Sequence, residues 1–299
     1  MKRWILYLTL AQLFGLFVQP AFAKVSIKHG TNIPGTLERY TEQLYHQLSF
    51  PSENKVSFSA FSTAYKGYLN LRNAGNLNSD KQILTIIDFT LSSTKHRLWV
   101  IDLSQKRVLL NEYVAHGQGS GDEFATTFSN KDNSHQSSIG FYVTGETYVG
   151  QHGNSLRLYG MDNGYNSAAF DRSVVMHGAN YVSNDFIVSQ NRLGRSWGCP
   201  AVSNQIVDKV VNYIKDGTCL FIYYPQKAYL ASSSWLRKNP DYLPEDYLIQ
   251  DLKAPIRYVY DKSAANLNPH SPNYICPEME INKAHLTAMN LSFVKRILP

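Results

Sequence analysis

Residues 174–203, VVMHGANYVSNDFIVSQNRLGRSWGCPAVS, constrain this chain more than any other stretch. Val174, Val175 and Met176 predict a short buried strand that delivers His177 and Gly178 to its end. A polar, Asn-rich connection follows, and then Gly194-Arg195-Ser196-Trp197-Gly198-Cys199-Pro200. Two glycines and a proline bracket the cysteine, so the backbone must turn tightly there and can come close to a ligand. Cys199 and His177 are the residue types of a thiol nucleophile and its base. A free thiol, with a pKa near ~8.5, is mostly protonated at neutral pH, and the thiolate is the reactive form. An imidazole at about 2.6–3.2 Å corrects this by taking the proton. A histidine at a strand end also serves as a purely structural residue, so spacing alone leaves both roles open.

The wording of the stretch narrows them. Met176-His177-Gly178, a variable connection and then Ser196-Trp197-Gly198-Cys199 resembles the L,D-transpeptidase (YkuD-type) catalytic domain. Bacterial enzymes of that family cross-link or trim peptidoglycan stem peptides through a cysteine acyl-enzyme. The resemblance runs from about residue 84 to 224 and looks closest to a murein L,D-transpeptidase branch with Pro after the cysteine. It implies a β-sandwich catalytic domain, Cys199 as nucleophile, His177 as base, and no cofactor. It also sets residues 150–161 beside the cleft, which makes His152 and Tyr159 candidates for contacting the stem peptide. Most members carry Arg or Asn two residues after the cysteine, where this chain has Ala201. Arg195 and Arg192 are the candidates to replace that substrate-holding cation.

Chemical reasoning fills in the rest of the site. The Gly178 carbonyl can accept from the second imidazole nitrogen and fix its tautomer. The N–H groups of Gly198 and Cys199 are the natural oxyanion donors, and Ser196 is placed to orient the turn or touch substrate.

The chain start suits such a substrate. Met1-Lys2-Arg3, a hydrophobic run over 4–18 and Pro20-Ala21-Phe22-Ala23 read as a secretory signal peptide, with Lys24 as the mature start. The apolar run is short for a span of about 20 residues, and no second stretch is long enough, so no stable membrane span is expected after cleavage. The expected location is periplasmic or cell-wall associated. Of three cysteines, Cys199 has the context of a free thiol. Cys219 and Cys276 either pair or leave Cys219 as a buried core residue. The formal charge is +6, or +4 once Lys2 and Arg3 depart, with Lys and Arg scattered, so no nucleic-acid footprint is present.

Along the chain, 24–80 reads as a helical segment. Leu37, Tyr40, Leu44 and Leu48 share one helical face, and Phe61, Ala64, Tyr65, Tyr68 and Leu71 share another, with Ser57 or Ser59 as a cap. Residues 81–225 form the catalytic domain, mainly β with flanking helices. Strands are expected over 83–91, 97–103, 107–115, 138–146, 156–159 and 219–224. A helix capped by Ser203 is expected over 204–215, with Ile206, Val207, Val210, Val211 and Ile214 as its buried stripe. Residues 226–299 are a C-terminal extension without clean periodicity.

His116-Gly117-Gln118-Gly119-Ser120-Gly121 lacks the Lys-Ser/Thr and the following helix of a phosphate loop, so it reads as a flexible or substrate-lining loop. His116 and His152 sit in glycine-rich turns without metal-ligand spacing, which leaves supporting roles near the cleft. A papain-like protease would place Cys before His, the reverse of this order. An L,D-carboxypeptidase that hydrolyses the acyl-enzyme, and a non-catalytic wall-binding protein, remain as alternatives.

Overall fold

A computed structural model of the chain describes residues 36–244, apart from Ser52, His152 and Tyr242. The proposed signal peptide and Cys276 lie outside the described residues. Two helices come first, α1 (Thr36–Gln47) and α2 (Phe58–Asn73). Leu37, Tyr40, Leu44 and Leu48 are buried, as the spacing predicts, and the Ser57 hydroxyl caps α2 by accepting from the Ala60 N–H. Gly67, mid-helix in α2, is unfavourable on propensity alone. It is tolerated because a Cβ there would enter the Phe141 ring, which closes α2 onto the sheet.

Among the described residues, eight strands form one sheet. They are β1 (Ile83–Asp88), β2 (Leu98–Asp102), β3 (Arg107–Glu112), β4 (Gly140–Gly150), β5 (Gly153–Gly160), β6 (Val175–Ala179), β7 (Ala201–Ser203) and β8 (Cys219–Tyr223). Their order is β3-β2-β1-β8-β4-β5-β6-β7. The sheet rolls until its edges meet: the Ala115 N–H, just beyond β3, donates to the Ala201 carbonyl of β7 at 2.8 Å. Rolling up removes the exposed strand edge that would otherwise invite pairing with another chain. The mainly β architecture with flanking helices therefore holds, as one continuous sheet in a near-barrel. Its core gathers Leu84, Ile86, Trp99, Phe141, Leu156, Met176, Leu220 and Phe221, all 0% exposed.

Several local expectations need correction. Ser203 is not a helix cap but the last residue of β7, paired with Ala179. The helix α4 (Val207–Ile214) starts later and has no side-chain cap, although Val207, Val210, Val211 and Ile214 are buried as expected. The Asn-rich connection contains a helix, α3 (Asn184–Gln190), capped by Ser183 and ended by Asn191 in the left-handed conformation at φ +55. Two short helices, α5 (Lys227–Ser232) and α6 (Ser234–Arg237), follow β8. They are clamped by Asp162, which accepts from Tyr229 Oη at 3.0 Å and Ser233 Oγ at 2.5 Å. Cys219 is a free thiol, 0% exposed in β8, and burial pushes its pKa upward. Its burial matches the core reading, and the alternative pairing falls on Cys276, outside the described residues.

Candidate active site

β6 runs antiparallel to β5 and parallel to β7, and every residue in it is buried. His177 lies at its middle rather than its end, opposite Ser155 on one side and Ala201 on the other. Its Nδ1 is 2.9 Å from the Gly178 carbonyl, so Nδ1 carries a proton, and in the neutral ring the lone pair falls on Nε2. Gly178 itself is packed so closely that a Cβ would meet the Asn204 side chain.

The His177–Ala201 register, extended two residues back, brings Cys199 alongside Val175. There the thiol takes the place of a ladder carbonyl: the Val175 N–H donates to Sγ at 3.5 Å, and the Ser173 carbonyl accepts from the thiol at 3.8 Å. Val175 and His177 project to the same face of β6, about 6.6 Å apart along the strand. The half-buried, unbridged sulfur of Cys199 thus sits against the backbone of β6 at Val175, two residues before His177 on the same strand.

The turn holding Cys199 is closed by its own residues. Ser196 Oγ donates to the Cys199 carbonyl at 2.6 Å and accepts from the Gly198 N–H at 3.1 Å. The Gly198 N–H is therefore spent inside the turn, contrary to the oxyanion role expected for it. The Cys199 N–H is the donor that the turn leaves over, with no acceptor recorded among the described residues. Gly198 adopts φ +124, which favours glycine, and its carbonyl accepts from Ser137 Oγ at 3.1 Å.

The glycine-rich loop at 116–121 buttresses this turn. Ser196 donates from its N–H to the His116 carbonyl at 3.0 Å, and the Gln118 N–H donates to the Ser196 carbonyl at 2.8 Å. The His116 ring is fully buried, with Nδ1 2.8 Å from Arg97 Nη2 and Nε2 3.3 Å from the Gly121 carbonyl. Burial, together with the Arg97 charge, lowers its pKa to about 3, so the ring is neutral and accepts from Arg97.

Electrostatics at the sulfur pull both ways. Burial pushes the Cys199 thiol above its ordinary value; the Val175 N–H and the Arg172 charge oppose this. Arg172 is a residue that sequence reading missed. Its guanidinium donates to the Ser129 and Gln136 carbonyls, both at 2.8 Å, and to Ser138 Oγ and Ser134 Oγ. It lies against Gly198. The two arginines expected to supply a cation are engaged elsewhere. Arg195 pairs with Asp122 at 2.6 Å and donates to the Gly121 carbonyl, and Arg192 donates to the Leu193 carbonyl with its guanidinium over Phe186.

Tyr159 projects from β5 on the same face as Ser155, the neighbour of His177. It stacks on Phe170 at 5.5 Å and donates to Glu146 at 3.1 Å. A bulge between Thr144 and Thr147 carries Glu146 into an ion pair with Arg157 at 2.8 Å. His152 lies outside the described residues. Among the described residues, no group of three or more His, Cys, Asp or Glu is arranged to hold a metal, and no helix is long and apolar enough to cross a membrane.

A search among curated proteins gives no match. Solved structures similar to this chain include an L,D-transpeptidase from Mycobacterium smegmatis, at 13% identity and TM-score 0.30, covering 48% of this chain and 59% of that one. Bd1075 from Bdellovibrio bacteriovorus matches at 15% identity and TM-score 0.30, covering 49% of this chain and 50% of that one. An L,D-transpeptidase from Xylanimonas cellulosilytica matches at 14% identity and TM-score 0.28, covering 66% and 96%. The chain thus spans about three fifths of the length of the Mycobacterium smegmatis protein. These likenesses are too distant to carry the assignment, which comes from sequence. The family model for the L,D-transpeptidase catalytic domain matches residues 52–223, more than half of the chain and the whole of the rolled sheet with its Cys199 turn, so this chain belongs to the L,D-transpeptidase catalytic-domain family.

Proposed function

We propose that this protein is an exported cysteine L,D-transpeptidase acting on the tetrapeptide stems of peptidoglycan. The observation that carries the reading is the free thiol of Cys199 held against β6 at Val175, two residues from His177, whose Nδ1 donates to the Gly178 carbonyl. His177 Nε2 takes the thiol proton as Sγ attacks the carbonyl of the third stem residue. A C–S bond forms, the C–N bond to the terminal D-alanine breaks, and the imidazolium returns its proton to the leaving amine. The Cys199 N–H faces the developing oxyanion, a contribution of about 2.7–4 kcal/mol where such donors have been removed. The thioester then meets an amine of a neighbouring stem, giving a 3→3 cross-link, or water, giving carboxypeptidation. Export rests on the leader read at 1–23, and it places the enzyme where its substrate is.

Mass analysis of muropeptides incubated with the mature protein tests this. Loss of D-alanine with cross-linked dimers is expected from the wild type and neither product from Cys199→Ala. D-alanine release that survives Cys199→Ala would reject the assignment, and an inert wild type would favour a wall-binding protein.

A further inference from the structure

Trp197, two residues before Cys199, is 73% exposed. Leaving a large aromatic side chain in water forgoes the free energy its burial would contribute. The ring is nonetheless held in place. It lies parallel to the His135 imidazole, with centroids 4.9 Å apart and planes 7° from parallel. His135 is fixed in turn: Gln118 Nε2 is 2.9 Å from its Nδ1, and its carbonyl accepts from the Gly119 N–H at 2.9 Å. Its backbone sits at φ +52, a left-handed conformation that a non-glycine residue keeps only where the surroundings impose it. Arg172 and Ser137 pin the same segment to the Cys199 turn. One face of the indole is therefore covered and the other is offered to solvent, coupled rigidly to the proposed nucleophile. Scattered exposed apolar residues need no explanation, but one ordered by a stack beside a reactive group does.

We propose that Trp197, backed by His135, is a binding plate for a pyranose ring of the glycan strand that bears the stem peptide. The proposal rests on the function given above and adds a second substrate moiety to it. A pyranose presents a flat C–H face that packs against an electron-rich aromatic face, while its hydroxyls stay in water. Reach agrees: three extended stem residues span roughly 10 Å, and the two Cα steps from Trp197 to Cys199 span at most about 7 Å before the indole adds its own length. The segment that carries His135 also exposes Lys131, Asp132 and Asn133, side chains able to bond sugar hydroxyls.

The test compares kcat/KM for a tetrapeptide stem carrying its disaccharide with that for the free tetrapeptide, alongside binding of an N-acetylglucosamine trimer followed by titration calorimetry. The wild type is expected to favour the disaccharide form about tenfold, a difference of about 1.4 kcal/mol. Trp197→Ala should bring the ratio near one and abolish the saturable heat of trimer binding, while Trp197→Tyr keeps most of the preference. An equal ratio in wild type and Trp197→Ala, or no saturable heat with the trimer, overturns the plate. Trimer binding that needs Trp197 in a protein that turns over neither substrate supports the plate and sinks the transpeptidase reading alone.

Discussion

His116 and His177 occupy matching local settings: each follows an apolar β segment, each precedes a glycine, and each is buried. Their imidazoles are nevertheless set in opposite senses. At His116, Nδ1 accepts from Arg97 and Nε2–H faces the Gly121 carbonyl, so both nitrogens are consumed in bracing a loop. At His177, Nδ1 donates to the Gly178 carbonyl, which in the neutral ring puts the lone pair on Nε2, the atom proposed above as the base. The difference lies in which neighbour reaches Nδ1, a buried guanidinium or a backbone carbonyl. A histidine becomes a strut or a base through that choice of tautomer.

The largest effect separating the two sites should come from His177→Gln, which removes the proposed base and is expected to lower kcat about 10²–10⁴-fold. His116→Gln should act chiefly on folding, and a comparable loss of kcat there at full folding would erase the distinction. Next comes acid stability. The folded pKa of His116, about 3, lies below its ordinary value, so the unfolded chain binds the proton first. This contribution is intact above about pH 6.5 and is lost as pH falls, by about 2 kcal/mol between pH 6.5 and 5. Denaturant midpoints across that range should show the slope in wild type and a shallower one in His116→Gln. The smallest effect falls on Arg172. Arg172→Gln should slow alkylation of Cys199 at neutral pH about tenfold by raising the thiol pKa, the direction opposite to the Arg172 charge. Arg172→Lys restores only part of the rate, because an ammonium cannot reproduce the four-way guanidinium anchorage.

Much of the framework was legible because local patterning and tertiary burial agree. The strand from Ile83, the helix α2 with Ser57 as one of its two candidate caps, and the stripe from Val207 to Ile214 need only an apolar run or helical spacing to be seen. α3 was invisible because it buries no residue and so has no apolar period, although Ser183 and Asn191 mark its ends. Ser203 misled because pairing with Ala179 outbid capping. Within the site, Cys199, His177 and the Gly178 carbonyl follow from residue chemistry and the resemblance. The spending of the Gly198 N–H on Ser196 does not, nor does the anchorage of Arg172 to residues 34 to 43 positions away. Both are products of turn geometry and long-range contact, on which a linear pattern is silent.

The central claim is that His177 governs the ionisation of the Cys199 sulfur against the burial that opposes it. The direct measurement is the pH dependence of Cys199 alkylation by iodoacetamide, read by mass on the peptide containing it, in wild type and His177→Gln. The wild-type midpoint is expected at least about one unit below that of the variant. Coincident profiles would contradict the account.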